Sequence, residues 1–523
     1  MENMFFIINL ALWWLHVLSR NKNERNSVIK FCLIVSGLLV FRILSLFSQN
    51  HTLSVQKFQK ETDRLINQKF LDNAFWGIQV QSLKHGDILY SHHANKNLIP
   101  ASNMKIFTSV FALDKLGPDF QYTTTVYLHG RFEDDTTFSG NLILRGMGDP
   151  TISGRFFDNK ITKVLEDWAD SLAAKKIKII HGRIIGDDNF FGDEALGKHW
   201  EWDEESYWYS AQVSGLSFND NCVNWYVTPT QIGKPAKIQL APGTSYVTID
   251  NRITTVAGSS ESQEIEFTRE RSSNLIHATG KITAESDVQV GYVTVENPTL
   301  FTATVMKEVL QKRGIQVDSA SVDIDNLTSY TYHDSDTTVM RIAVYQSPKL
   351  DEILKIVNKR SQNLFAEQLL RTVAAVIDSD GTGQRALKSE REFLKKIGIS
   401  PDKMFIMDGS GYSRTNLVTP ESIVALLKFI RQHKYWKVFY ESLPKAGMER
   451  SLNHRMKNTP AEGNVRAKTG TLDNVSTISG FVKTADGEEI VFSIMCNNFN
   501  VDNLEVQKVQ DAILVNLASF SRN

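Results

Sequence analysis

The chain has 523 residues, 42% hydrophobic and 22% charged, which excludes global disorder and, at roughly 150 residues per domain, allows about three domains. Lysine plus arginine (58) nearly balances aspartate plus glutamate (59), so no global field draws nucleic acid or an anionic membrane. Three cysteines exclude a disulfide scaffold and a four-thiolate zinc site.

Residues 1–50 carry two apolar runs, 4–18 and 31–47, separated by a polar stretch with Arg20, Lys22, Arg25 and Lys30. The second run has basic residues before it and Ser48-Gln49 after it, the pattern of an export signal or a short membrane anchor. It implies an exported, periplasmic or cell-envelope protein that touches the membrane through this segment alone. Leu46 stands where cleavage prefers a small residue, so cleavage and retained anchor both stay open. Cys32 lies in the run; Cys222 and Cys496 either pair or sit apart as buried thiols.

A polar helix is predicted over 55–71, then two strands, 76–81 and 87–91, joined through Lys84-His85-Gly86. Pro100 opens a helix to Leu116, stopped by Gly117-Pro118. From 122 to about 295 short strands dominate (125–129, 141–145, 177–185, 236–240, 246–249), with one helix over 160–172. Helices return after Pro298: 300–313, 350–375, 383–397 and 420–432. Strands 477–483 and 489–495 flank an Asp486-Gly487 turn, and a last helix covers 504–520. This order predicts a domain split by an insertion, with its outer parts paired in one antiparallel sheet. The expected divisions are 1–50, 51–121 and 299–523 as the two outer parts of the split domain, and 122–298 as the insert.

No His-Glu-x-x-His, phosphate-binding Gly-rich loop or Gly-x-Ser-x-Gly elbow is present. Ser102-Asn103-Met104-Lys105 places a serine and a lysine on one helix face. A buried lysine with a lowered pKa can take the serine proton and make a nucleophile without histidine. Ser-x-x-Lys occurs six times, but only at Ser102 does it open a long apolar helix. Ser361-Gln362-Asn363 is a second candidate, although Ser139, Ser217 and Ser451 begin the same spacing. Lys468-Thr469-Gly470-Thr471 contains the one Lys-Thr-Gly of the chain, leading toward a strand. Each element also has a plain reading: a helix cap, a polar helix residue, a surface strand lysine. Trp200, Trp202, Trp208 and Tyr209 suit either glycan stacking or burial in an accessory core, and burial is the expectation.

Ser-x-x-Lys, Ser-x-Asn and Lys-Thr-Gly, in that order, form the set found in penicillin-binding proteins and β-lactamases. From about Phe70 onward the chain resembles the class C low-molecular-mass penicillin-binding proteins, the D-alanyl-D-alanine carboxypeptidase/endopeptidases. The resemblance extends to Gly146-Met147-Gly148-Asp149-Pro150, where Met147 replaces a family glycine, and to 182–188, 213–221, 296–298, 363–367 and 408–414. It implies an α+β fold of the serine β-lactamase/DD-peptidase type, an antiparallel sheet flanked by helices and split by strand-rich accessory domains. The stretch from Ser102 to Ser361, a separation of 259 residues, would hold two of them. It further implies Ser102 as nucleophile, Lys105 as base, Ser361 and Asn363 as relay and amide holder, and Lys468 as carboxylate anchor. Thr469, Gly470, Thr471 and Ser410 would line the substrate site, with backbone N–H groups of Ser102 and Thr471 as oxyanion hole. The implied partners are peptidoglycan peptides and β-lactam inhibitors, and the mechanism requires no metal or organic cofactor. A β-lactamase or esterase with the same nucleophile, or a non-catalytic peptidoglycan-binding protein, is the alternative.

Overall fold

The computed structural model describes residues 54–258 and 262–522. The expected export segment, with Cys32, lies outside them; no helix among the described residues is long and apolar enough to cross a membrane.

The outer parts of the chain meet in a five-stranded antiparallel sheet, ordered Arg466–Leu472, Val475–Lys483, Glu489–Asn497, Phe75–Ser82, Ile88–His92. Strand alternation divides the sheet between two cores. Ile490, Phe492, Ile494 and Cys496 face the terminal helices Val55–Ile66 and Asn503–Ala518. Val491 and Met495 face a helical layer built around Met104–Leu116. Between those two lies Ser493, whose Oγ accepts from Ser479 at 2.9 Å. Asn103 Nδ2 donates to that Ser479 at 2.9 Å, so a buried polar column ties the start of the helix to the sheet.

The insertion has one seven-stranded sheet and two smaller ones of four and three strands, and a single apolar cluster runs through all three. Strand Thr123–Phe132 leads in and Val339–Gln346 leads out, and the two pair antiparallel. At this neck Tyr122 N donates to Ser347 Oγ at 2.9 Å and Ser347 N to Tyr122 O at 3.1 Å.

Three expectations change. Helix Pro298–Lys312 places Phe301, Val305, Met306 and Leu310 in the accessory core, so the chain returns to the catalytic core near Leu350, not at 299. Helix start signals mark where a helix begins and carry no information about which core it joins. The strand expected over 177–185 breaks into Ile179–His181 and Ile184–Asp187 around Gly182. The helix expected over 350–375 breaks into Leu350–Lys359 and Asn363–Asp378. Both cysteines in question are buried and free.

Candidate active site

Ser102 sits in the 3-10 turn Ala101–Asn103, which runs directly into helix Met104–Leu116. It caps nothing through its side chain, so the plain helix-cap reading fails. One turn on, fully buried Lys105 places Nζ 2.8 Å from Ser102 Oγ, 2.7 Å from Asn363 Oδ1 and 2.7 Å from the Ser410 carbonyl. The Asn363 amide is oriented by its Nδ2, which donates to the Tyr209 carbonyl at 2.8 Å. Two neighbours of Lys105 are therefore pure acceptors. A neutral amine gives them its two N–H bonds and turns its lone pair to the Ser102 hydroxyl. Burial pushes the Lys105 amine down to about 7, against the opposing pull of Asp408 and Glu367.

The break in the helix is what presents Ser361. Its φ of 58° is in the left-handed region, rare for serine, and turns the chain between the two helices. Ser361 Oγ lies 2.8 Å from Lys468 Nζ, which also donates to the Thr469 carbonyl at 2.7 Å. Lys468 is fully buried; burial first, and the Lys105 charge second, hold its amine well below the ordinary lysine range.

Gly470 permits the close approach of strand Arg466–Leu472 to Ser102. A Cβ there would fall 2.4 Å from Thr477 Oγ1 and 2.8 Å from both the Pro100 carbonyl oxygen and the Ser102 nitrogen. Half-buried Thr469 and exposed Thr471 flank it at the cleft. Thr469 Oγ1 donates to Ser451 Oγ at 2.9 Å.

Ser410 is among the residues expected to line the substrate site. It is fully buried, its Oγ accepts from the Tyr412 N–H at 3.3 Å, and its contribution is the carbonyl held against Lys105. Its loop is fixed from behind. Glu367 accepts from the N–H groups of Gly409 (3.2 Å) and Ser410 (2.7 Å), and Asp408 from those of Gly411 (2.7 Å) and Ser413 (2.6 Å). Burial pushes the Glu367 carboxyl up to about 7 and raises Asp408 as well.

The chain matches the D-Ala-D-Ala carboxypeptidase 3 (S13) family over residues 58–520. It belongs to that family. A D-alanyl-D-alanine carboxypeptidase of Actinomadura sp. (strain R39) is 32% identical over 89% of this chain and 85% of its own length. The D-alanyl-D-alanine carboxypeptidase DacB of Haemophilus influenzae is 25% identical over 88% of this chain and 92% of its own. The crystal structure of penicillin binding protein 4 (dacB) from Haemophilus influenzae shares the fold, with a TM-score of 0.76 at 23% identity over 87% of this chain and 99% of that one.

In this S13 peptidase the insertion also reaches the site. Trp200 Nε1 donates to Asp408 at 3.0 Å, the Tyr209 carbonyl holds Asn363, and the Tyr412 hydroxyl donates to Glu204. Burial in the accessory core was the wrong expectation for two of the tryptophans, since Trp202 is 66% and Trp208 37% exposed. Glu367 was not singled out as functional. Its signal is position: it lies four residues after Asn363, on the same face of an otherwise apolar buried helix.

Proposed function

We propose that this protein is a serine-type D-Ala-D-Ala carboxypeptidase of the cell envelope that also opens peptide cross-links. The observation that carries this is the placement of the buried Lys105 Nζ, 2.8 Å from Ser102 Oγ and held there by two acceptors, the Asn363 amide oxygen and the Ser410 carbonyl. Ser102 Oγ attacks the carbonyl between two D-alanines as its proton passes to Lys105. The developing oxyanion is met by the N–H groups of Ser102 and Thr471, donors of a kind that contribute about 10²–10³-fold each. Ser361 relays a proton to the leaving amine, and the C–N bond breaks to leave a Ser102 ester. Lys468, with Thr469 and Thr471, holds the terminal carboxylate. Water then hydrolyses the ester. The substrates are peptidoglycan stem peptides, and β-lactams acylate the same serine. Residues 1–50 direct export and anchor or release the enzyme.

Labelled penicillin tests this. The parent protein takes up one covalent label and Ser102→Ala takes up none; equal labelling of the two would sink the assignment. Fast turnover of penicillin with no D-alanine released from a stem peptide would favour the β-lactamase reading.

A further inference from the structure

At the chain neighbours of Ser361 a cavity of about 400 Å³ opens between the insertion and the catalytic core. Arg360 and Gln362, the chain neighbours of Ser361, form one wall. Arg155 and Asp220 of the insertion form another, ion-paired to each other, and Gln362 Nε2 donates to Asp220 at 2.7 Å. Trp208 and Tyr292, respectively 37% and 52% exposed, supply apolar surface.

Three features make this a built site. The wall that carries Asp220 is a run of left-handed residues, Asn219, Asp220 and Asn221, with φ of 50°, 54° and 54°. Such strained backbone persists where its surroundings over-determine it. Here the Asn221 amide clamps the loop, donating to the Gln212 carbonyl at 2.7 Å and Ser217 Oγ at 3.0 Å. The charge is unbalanced: Asp220 answers Arg155, but Arg360 has no carboxylate in ion-pair range among the described residues. Arg360 feels the like charges of Arg155 and Arg450, and the weaker pull of Asp220, which is already paired with Arg155. Finally, Arg155 Nε and Asp220 Oδ1 are buried without a hydrogen-bond partner.

We infer that this cavity binds the anionic peptide attached beyond the scissile bond, the second stem peptide of a cross-link. The inference rests on the proposed function, in which Ser361 serves the leaving amine and Lys468 its carboxylate. Whatever extends from the leaving residue past Ser361 meets Arg360 and Gln362 next. A single departing D-alanine is too short to use the cavity. A cross-linked stem peptide brings further carboxylates for Arg360 and an alkyl backbone for Trp208 and Tyr292. Guanidinium–carboxylate pairs of this kind are charge-assisted and directional.

The test compares two substrates of the full chain, a purified cross-linked stem-peptide dimer and a synthetic stem peptide ending in D-Ala-D-Ala. Arg360→Gln and Tyr292→Ala should each lower kcat/KM for the dimer at least about tenfold relative to the monomer, a change worth about 1.4 kcal/mol. The penicillin acylation rate of each variant normalises for damage to the nucleophile. Because the two residues lie on different parts of the chain, a misfolded variant of one leaves the other to decide. A dimer-to-monomer ratio that moves less than twofold in a folded variant overturns the inference. A parent enzyme that cleaves the monomer and reacts with penicillin but ignores the dimer overturns it too, leaving the carboxypeptidase reading intact. A parent inert toward penicillin and both substrates sinks the functional reading itself.

Discussion

Acylation of Ser102 should depend on pH through Lys105, and the structure sets where. With its amine pushed from the ordinary 10.5 to about 7, the charged form is disfavoured by roughly 5 kcal/mol at about 1.4 kcal/mol per pH unit. The free enzyme's rate of reaction with a fluorescent penicillin should therefore rise with pH to a plateau above about 8. At pH 5 about one site in a hundred carries a neutral lysine, so the rate there should be roughly a hundredfold lower. Arginine cannot deprotonate, and Lys105→Arg should lose most of the activity at every pH. Stability moves by the same linkage. The folded-state pKa is depressed, so between about 7 and 10.5 the unfolded chain binds the proton that the folded chain does not. The burial penalty is complete below pH 7 and lifts as the pH rises toward 10.5. The stability of Lys105→Met, which has no titrating amine, should thus exceed the parent's most at pH 6, with the difference shrinking by about 5 kcal/mol toward pH 10.5. A flat acylation rate from pH 5 to 9, or a rise centred near 10, would refute a neutral Lys105 as the base.

Gly470→Ala should fold but react slowly, because its methyl must push the strand off Thr477 and the Ser102 loop; displacements near 1 Å cost on the order of 10²-fold, read as the penicillin acylation rate. Glu390, fully buried with both carboxyl oxygens unpartnered, is pushed up to about 8 by burial and by the charges of Glu367 and Asp408. Its raised pKa contributes stability that is complete below pH 4.5 and lost as the pH climbs through 8. The Tm advantage of Glu390→Gln should open over that range, and equal Tm differences at pH 4.5 and 9 would refute it. Binding of a carboxylate-bearing peptide to Ser102→Ala should take up a proton at Lys468, seen as a buffer-dependent enthalpy in calorimetry; an enthalpy independent of buffer ionisation at pH 8 would count against it.

The antiparallel sheet was readable because its signals are local. The Asp486-Gly487 turn sets the last hairpin, and the alternation of Ile490, Phe492 and Ile494 against Val491 and Met495 assigns each face. Ser102 and Lys105 were readable for the same reason, since one helical turn fixes their spacing. The break at Ser361 was not. Residues 350–375 have helical periodicity throughout, and nothing between Lys359 and Asn363 is a glycine or proline. Tertiary contacts with Lys468 and the insertion hold that serine in a conformation its own propensity disfavours. The Ser410 carbonyl was not singled out, because a side chain was sought where the structure sets a backbone carbonyl against Lys105. The parts played by Trp200 and Tyr209 were out of reach, because each depends on a long-range contact between insertion and core.

The site keeps two lysines dry and close together while its carboxylates stand one layer behind. Glu367 and Asp408 spend their oxygens on the backbone N–H groups of the 408–413 loop and so pin the Ser410 carbonyl against Lys105. They act on Lys105 through that carbonyl and through space, and among the described residues no carboxylate touches the amine to keep it charged. Lys468 is likewise left without a counter-charge among the described residues, with the Ser361 hydroxyl and the Thr469 carbonyl as its neighbours. In the proposed function an incoming peptide carboxylate is the first anion to reach it, and its arrival would favour the protonated form. A charged Lys468 in turn presses Lys105 further toward neutrality, because like charges disfavour each other. On that proposal, substrate recognition at one lysine would ready the other as base, and the cation on Lys468 would cost least when there is a substrate to attack.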